Sequence, residues 1–169
     1  DAFCTQTEEE QCIRAIADTN YGSIHVFPGA CESIGHMIGK AIQLRIAEGN
    51  QETLDFLICV NFLKPTQILK GYINEILSTP EEKAYLEEKV GFSECLVHRN
   101  GMVPTPEQLA KDPIAVYAGD TPHLTADGEA FKGEPPAGMN LHLIDKMEGR
   151  LTQKIWNINM RHCCTAFYG

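Results

Sequence analysis

The chain has 169 residues, of which 43% are hydrophobic and 22% charged, and its formal net charge at pH 7 is −9. Such an acidic balance argues against nucleic acids and anionic membranes as partners, because both select clustered Lys and Arg. No apolar run reaches the roughly 18 residues that a membrane-spanning helix needs. We therefore expect a single domain over residues 1–169 that neither binds nucleic acid nor inserts into a membrane.

Residues 1–99 are predicted to be mainly helical. A capping box is recognised at Thr7-Glu8-Glu9-Glu10 and predicts a first helix that ends near Asn20. A short strand is expected at residues 23–27, after the helix stop. A second helix is predicted from Ala30 to Ala47, because apolar residues and Arg45 recur there at helical spacing.

Three further helices are expected before residue 99. The first is capped by Asn50 and carries apolar residues at 54, 57, 58 and 62, and the next follows Pro65 with a broad apolar face. The last begins at Thr79-Pro80-Glu81-Glu82, which combines an N-cap, a proline at the first helical position and a capping-box glutamate. It is predicted to close at Gly91.

Residues 100–169 are predicted to form loops and antiparallel strands. Six prolines and five glycines between residues 100 and 138 exclude a long helix, although a short helical turn is capped by Thr105 and a strand is expected at 114–117. Alternation over Leu141–Lys146, a turn at Glu148-Gly149 and a return over 151–160 predict a C-terminal β-hairpin. The predicted fold class is therefore α+β, with a helical half packed against a small antiparallel sheet.

The seven cysteines favour an oxidising compartment. Cysteine occurs close to both ends of the chain, where a bridge would hold otherwise mobile termini, and the sequence opens on Asp1 as a processed protein would. We expect a secreted or extracytoplasmic protein stapled by disulfides that use six of the seven cysteines, with the pairing open and the odd one available for a homo- or hetero-oligomer. The cysteines are Cys4, Cys12, Cys31, Cys59, Cys95, Cys163 and Cys164.

The C-terminal segment resembles a known family. The run Phe131–Gly138, the strand from Leu141, the Glu148-Gly149 turn and a strand that reaches Trp156 are similar to the last strands of polyketide-cyclase-type, nuclear-transport-factor-2-like proteins. The resemblance implies a curved sheet wrapped round a long helix, forming a cone whose mouth admits a small apolar ligand. Members of that superfamily include isomerases, cyclases, hydrolases and binding proteins, so the resemblance does not fix an activity.

Candidate catalytic residues lie in and beside one acidic loop. Asp120 and His123 could act as an acid–base pair, with His142 on the hairpin and Tyr117 as a hydrogen-bond donor. A metal site is not predicted, because the spacing matches no calcium loop and Asp, Gly and Pro are typical of turns. The odd cysteine is a further candidate nucleophile if a histidine lies near it in space, which sequence alone cannot decide.

The leading hypothesis is a secreted, disulfide-linked binding protein for a small apolar or amphipathic ligand. Neither a nucleophile elbow nor a Gly-rich phosphate loop occurs in the sequence, so no cofactor is assigned. The alternatives are a cone-fold acid–base enzyme and a structural subunit linked through an interchain disulfide. The predicted ligand-binding residues are Phe62, Tyr72, Trp156 and Met160.

Overall fold

The computed structural model describes residues 2–97, 101–119, 121 and 123–168, with the side chains of 158 and 159 left aside. The helices are α1 (Glu9–Ala17), α2 (Cys31–Ala47), α3 (Pro65–Ile76), α4 (Pro80–Lys89), α5 (Pro106–Lys111), α6 (Met147–Gln153) and α7 (Met160–Tyr168). A π-helical segment, Lys154–Asn159, joins α6 to α7. The strands are β1 (Tyr21–Ile24), β2 (Leu54–Ile58), β3 (Val90–Leu96), β4 (Gly101–Met102), β5 (Tyr117–Ala118), β6 (Leu124–Asp127) and β7 (Leu141–Ile144).

The main sheet is mostly parallel. Within the described residues its strands follow the order β1-β2-β3-β6-β7, and β4 pairs with β5 in a separate ribbon. The pairs β1–β2, β2–β3 and β6–β7 are parallel, whereas β6 runs antiparallel to β3. Helix α2 connects β1 to β2, and α3 and α4 connect β2 to β3, as parallel neighbours require. The predicted α+β fold with a small antiparallel sheet is therefore wrong, and the chain is an α/β domain.

Strand β2 is buried on both faces. Leu54, Phe56 and Ile58 belong to the large core formed with α2, α3 and α4, while Leu57 packs on the opposite face with Cys95. A strand buried on both sides reads as a continuous apolar run, which periodicity alone does not separate from a helix. The helix predicted after Asn50 is wrong for this reason.

Several predicted helices are confirmed. The side chains of Thr79 and Thr105 each accept a hydrogen bond from the third residue of the helix they precede, and their backbone N–H groups donate in return to the side chains of Glu82 and Gln108. Helix α2 also lies where it was predicted. The capping box proposed at Thr7 is wrong, because α1 begins at Glu9 and its N-cap residue makes no side-chain capping bond.

The C-terminal hairpin is only half present. The first strand is confirmed as β7, but the predicted return strand is helical from Met147 onward. The apolar residues Trp156 and Met160 are four positions apart, a spacing that a helix uses as readily as an alternating strand does. Without the return strand the sheet cannot form the predicted cone.

Two buried polar side chains connect the sheet to neighbouring segments through hydrogen bonds. The Asp55 carboxylate on β2 accepts hydrogen bonds from the backbone N–H groups of Lys132 (2.7 Å) and Gly133 (2.9 Å). Gly91 on β3 leaves the room that this carboxylate occupies, because a Cβ there would overlap it. Arg45 on α2 is fully buried and donates to backbone carbonyls that precede β1 and β2 and to the Tyr85 hydroxyl.

All seven cysteines fall within the described residues, and each is a free thiol. The disulfide-stapled fold is therefore wrong. Cys31 and Cys95 are buried and act as small apolar core residues, while Cys163 and Cys164 lie exposed on α7. Apolar packing closes this core without crosslinks. Among the helices in the described part of the chain, none is both long and apolar enough to cross a bilayer.

Candidate functional site

A pocket of about 580 Å³ opens at the carboxyl edge of the parallel strands. The carboxyl ends of β1, β2 and β3 meet at one edge of the sheet, and the first residues of the antiparallel β6 and its partner β7 arrive at the same edge. Loops that follow parallel strands commonly build ligand sites in open α/β sheets. The wall comprises His25, Cys59, Val60, Asn61, Val97, Thr121, His123, Leu124, Met139, Asn140, Leu141 and Lys154.

Two residues of the pocket wall, His25 and Cys59, lie beside the hydroxyl of Ser23. The Ser23 hydroxyl lies 2.6 Å from His25 Nε2 and 3.9 Å from the sulfur of Cys59. A hydrogen bond from the Cys95 thiol, opposed by burial and aided by the charge of His25 and the Ser23 hydroxyl, lowers the pKa of Cys59 to about 6. Cys95 keeps its proton, because its bond to Cys59 and its burial raise its own pKa. The lowered pKa favours the thiolate form of Cys59.

Lys154 closes the pocket from the C-terminal helical segment. The side chain is half-buried, and this burial lowers the pKa of its ammonium group below the usual range. A lysine with a depressed pKa in a pocket is a candidate general base, because the lowered pKa makes its neutral, proton-accepting form easier to reach. Asn61 lines the same pocket and brings amide donor and acceptor atoms.

A second pocket, of about 460 Å³, lies between the start of α3 and α6. Phe62 and Trp156 supply its aromatic surface, and Glu94 and Asp127 line it as well. Burial, reinforced by the charges of Glu129 and Asp145, raises the pKa of Asp127. Glu94 accepts hydrogen bonds from the backbone N–H (3.3 Å) and the hydroxyl (2.7 Å) of Thr66, so that its carboxylate fixes the start of α3.

The structure brings two of the predicted catalytic residues together. The rings of His123 and His142 meet edge to face with centroids 5.1 Å apart, and His123 lines the 580 Å³ pocket. Tyr117 pairs with Met102 in the separate β4–β5 ribbon and does not belong to the wall of the 580 Å³ pocket as the described residues form it. Asp120 lies outside the described residues. The catalytic roles of these residues stay predictions.

The four predicted ligand-binding residues do not share one site. Phe62 and Trp156 line the second pocket. Tyr72 packs against the core and meets the ring of His36 edge to face at 6.0 Å, and Met160 is exposed on α7. Their ligand-binding roles also stay predictions.

Sequence reasoning missed Lys154 and Asn61 as site residues. Lys154 was placed in a return strand, and Asn61 in a helix that is a strand and a loop. Cys59 and His25 are separated by 33 intervening residues and become neighbours only because β1 and β2 pair in parallel. Among the described residues, no group of three His, Cys, Asp or Glu side chains is placed to hold a metal ion.

The comparisons with known proteins agree on one fold. The sequence model of the mannitol dehydrogenase Rossmann domain matches residues 2–137. The Pseudomonas fluorescens mannitol 2-dehydrogenase, solved in a ternary complex with NAD and D-mannitol, superposes with a TM-score of 0.71 at 14% identity, over 92% of this chain and 39% of that one. A substrate-free D-sorbitol dehydrogenase gives a TM-score of 0.64 at 16% identity, over 89% of this chain and 39% of that one. The chain thus spans about two fifths of the length of these two relatives.

These findings overturn the earlier interpretations. The resemblance to nuclear-transport-factor-2-like cyclases is wrong, because the matched fold is a Rossmann domain and the segment from Met147 is helical. The secreted disulfide-linked binding protein, the cone-fold enzyme and the disulfide-linked subunit are wrong with it. An extracytoplasmic location, a small apolar partner, the absence of nucleic-acid and membrane partners, oligomerisation and the single domain stay predictions.

Proposed function

The chain belongs to the mannitol dehydrogenase family, and on this premise we propose that it forms part of a dehydrogenase that oxidises a hydroxyl group of a sugar alcohol. The observation that carries the proposal is Lys154, half-buried with a lowered pKa in the pocket at the carboxyl edge. Sugar alcohols are the substrate class named for the relatives of the same fold, and NAD is the cofactor bound in one of them.

The described residues fit the reacting end of a nicotinamide dinucleotide. The pocket combines apolar walls from Leu124, Met139 and Leu141 with a few polar groups, and its volume is in the range typical of small-ligand sites. A diphosphate, in contrast, needs backbone N–H groups of a Gly-rich turn at a helix start. The sequence holds no such motif, and the turn before α2 contains Pro28, which has no N–H. We therefore assign only the nicotinamide end to this pocket.

The chain's own residues contribute proton transfer and orientation of the substrate. When bound, the dinucleotide supplies the acceptor for the hydride that leaves the carbinol carbon. The neutral amine of Lys154 takes the hydroxyl proton, so that the substrate carbon becomes a carbonyl. Asn61 can hold the reacting oxygen by hydrogen bonding, and the apolar wall keeps water from the reacting atoms.

Turnover tests the role of Lys154. We expect the protein that carries the whole chain to reduce NAD or NADP with one or more five- or six-carbon sugar alcohols. Lys154→Met should lower kcat by a factor of about 10²–10⁴, the range typical of a lost general base. Lys154→Arg should not restore it, because arginine stays protonated. Lys83→Met, at an exposed position on α4, is the matched control and should leave kcat unchanged.

Binding separates the pocket assignment from turnover. Nicotinamide mononucleotide should bind the chain, whereas adenosine monophosphate should not bind. Saturation-transfer NMR measures both. Full kcat in Lys154→Met would refute the general base, and equal binding of the two nucleotides would refute the assignment of the pocket.

A further inference from the structure

Cys59, directly after the last residue of β2, stands opposite Cys95 on the neighbouring strand β3. In the parallel register of β2 and β3, Ile58 is the partner of Glu94, so the next pair is Cys59 and Cys95. The two cysteines approach each other to 4.0 Å. Paired strands lie about 4.7–4.9 Å apart, within the Cα separation of about 4.4–6.8 Å that a disulfide accepts. The spacing of the paired strands is therefore compatible with a disulfide between Cys59 and Cys95.

The two thiols differ in accessibility and ionisation. Cys59 lies on the pocket wall, where a small solute can reach it, whereas Cys95 is only 1% exposed. The Cys95 hydrogen bond, His25 and Ser23 lower the pKa of Cys59 to about 6, so that Cys59 carries the negative charge of the pair. An accessible thiolate beside a second thiol is the arrangement typical of redox-sensor cysteines.

We propose that Cys59 is a peroxide-reactive thiolate and that Cys95 is its resolving thiol, so that the pair forms a reversible redox switch in the pocket. In the first step the Cys59 sulfur attacks an oxygen of hydrogen peroxide, the O–O bond breaks and hydroxide leaves, which gives a sulfenic acid. In the second step the Cys95 sulfur loses its proton and attacks the Cys59 sulfur, and the S–O bond breaks with loss of water. In total, one thiolate, one thiol and one hydrogen peroxide give one disulfide, one hydroxide and one water.

The switch changes the pocket where the substrate and the nicotinamide are assigned. Bond formation draws the Cys59 sulfur towards β3 and removes the charge next to His25. Asn61 follows Cys59 by two residues, so its position depends on the same segment. A loss of turnover on oxidation rests on the proposed function, whereas the chemistry of the two thiols does not.

Peptide mass spectrometry tests the chemistry without any activity assay. The reduced chain is treated with a small excess of hydrogen peroxide, alkylated and digested with trypsin, which separates the two cysteines on different peptides. We expect a species lighter by two hydrogens that joins the Cys59 and Cys95 peptides and disappears with dithiothreitol. At pH 6, Cys59 should react about tenfold faster than glutathione, since its larger thiolate fraction outweighs its lower nucleophilicity.

Matched variants separate the two roles. In Cys95→Ser, and in Cys95→Ala as a second variant, the sulfenic acid should persist on Cys59 and be trapped by dimedone. Cys59→Ser should leave Cys95 as a thiol, and Cys12→Ser, away from the pocket, should behave as the parent chain. The proposal is overturned if Cys59 reacts no faster than glutathione at pH 6. It is equally overturned if oxidised Cys59 is found while Cys95 remains a thiol in the parent chain.

Turnover measured on the same samples keeps the two proposals apart. If the crosslink forms and turnover persists, the redox chemistry stands and its control of the pocket is refuted. If the chain shows no turnover at all but forms the crosslink, only the proposed dehydrogenase activity is refuted.

Discussion

Replacing Arg45 with methionine is predicted to destabilise the domain severely. The guanidinium is fully buried, and every one of its nitrogens donates a hydrogen bond, at distances between 2.8 and 3.3 Å. The acceptors are the carbonyl oxygens of Ala17, Thr19, Glu52 and Thr53 and the hydroxyl of Tyr85. Because these carbonyls precede β1 and β2, Arg45 fixes the amino ends of the strands whose carboxyl ends form the pocket.

The expected magnitude follows from the acceptors that lose a donor. A buried acceptor left without its partner costs about 1–3 kcal/mol. Glu52 keeps a bond from the Tyr85 hydroxyl (3.0 Å), so the loss falls mainly on the carbonyls of Ala17, Thr19 and Thr53. The variant also no longer has to bury a charged guanidinium, and the desolvation free energy that is saved offsets part of the cost of the unsatisfied acceptors. We expect a net loss of about 3–4 kcal/mol in the free energy of unfolding.

Urea unfolding followed by far-UV circular dichroism measures this loss. With a slope of about 2 kcal/mol per molar urea, the midpoint of Arg45→Met should fall by about 1.5–2 M. Arg14→Met is the matched control, because Arg14 is an exposed arginine paired with Asp18 and Glu48, and its midpoint should fall far less. A fall of less than about 0.5 M in Arg45→Met would show that water replaces the guanidinium and would refute the reasoning.

Two further predictions concern the sheet and the pocket thiol. Gly91→Ala should destabilise the domain by about 1–3 kcal/mol, because the new Cβ overlaps the Asp55 carboxylate. Gly71→Ala is the matched control, because its Cβ would point into open space on a helix, and it should stabilise the domain by up to about 1 kcal/mol. Equal urea midpoints for the two variants would contradict this prediction. Alkylation of Cys59 by iodoacetamide should rise with pH through about 6 and then level off, since the thiolate is the reactive form. His25→Gln removes the imidazole that helps to lower the pKa of Cys59 and should move this rise to higher pH. An unchanged profile would exclude His25 as a cause.

The parts of the fold that sequence predicted are those set by local hydrogen bonds. Thr79 and Thr105 each combine a capping hydroxyl, a following proline and a third-position Glu or Gln, and all of these atoms lie within one turn. Such a signal does not depend on tertiary neighbours. Thr7 has the capping hydroxyl and the third-position glutamate but no proline, and there the chain forms a turn from Cys4 to Thr7 and the helix starts later.

The sheet could not be predicted in the same way. Leu54–Ile58 is fully buried, so neither of its faces shows the polar alternation that marks a half-exposed strand. Val90–Leu96 begins directly after α4 and was missed for the same reason. With two central strands missing, the order of the remaining strands indicated an antiparallel sheet.

The candidate site was predicted only in fragments. His123 was singled out from a polar loop and does line the pocket. Cys59 and His25 become neighbours through strand pairing, and Lys154 is buried by the packing of the C-terminal helical segment. Both features depend on contacts between distant residues, so no local sequence pattern predicts them. A cysteine with a histidine nearby in space was the one general expectation that this geometry matches.

The Asp55 carboxylate has a consequence for the order in which the chain folds. Helices α2–α4 and strands β1–β3 form a continuous stretch, but the N–H groups that Asp55 binds arrive 77 and 78 residues later. Until that segment docks, an assembled β1–β3 unit either exposes this carboxylate to water or buries it without donors, and the second state is costly. Folding of the early unit is thereby coupled to docking of residues 131–133, so both halves of the sheet should gain hydrogen-exchange protection together.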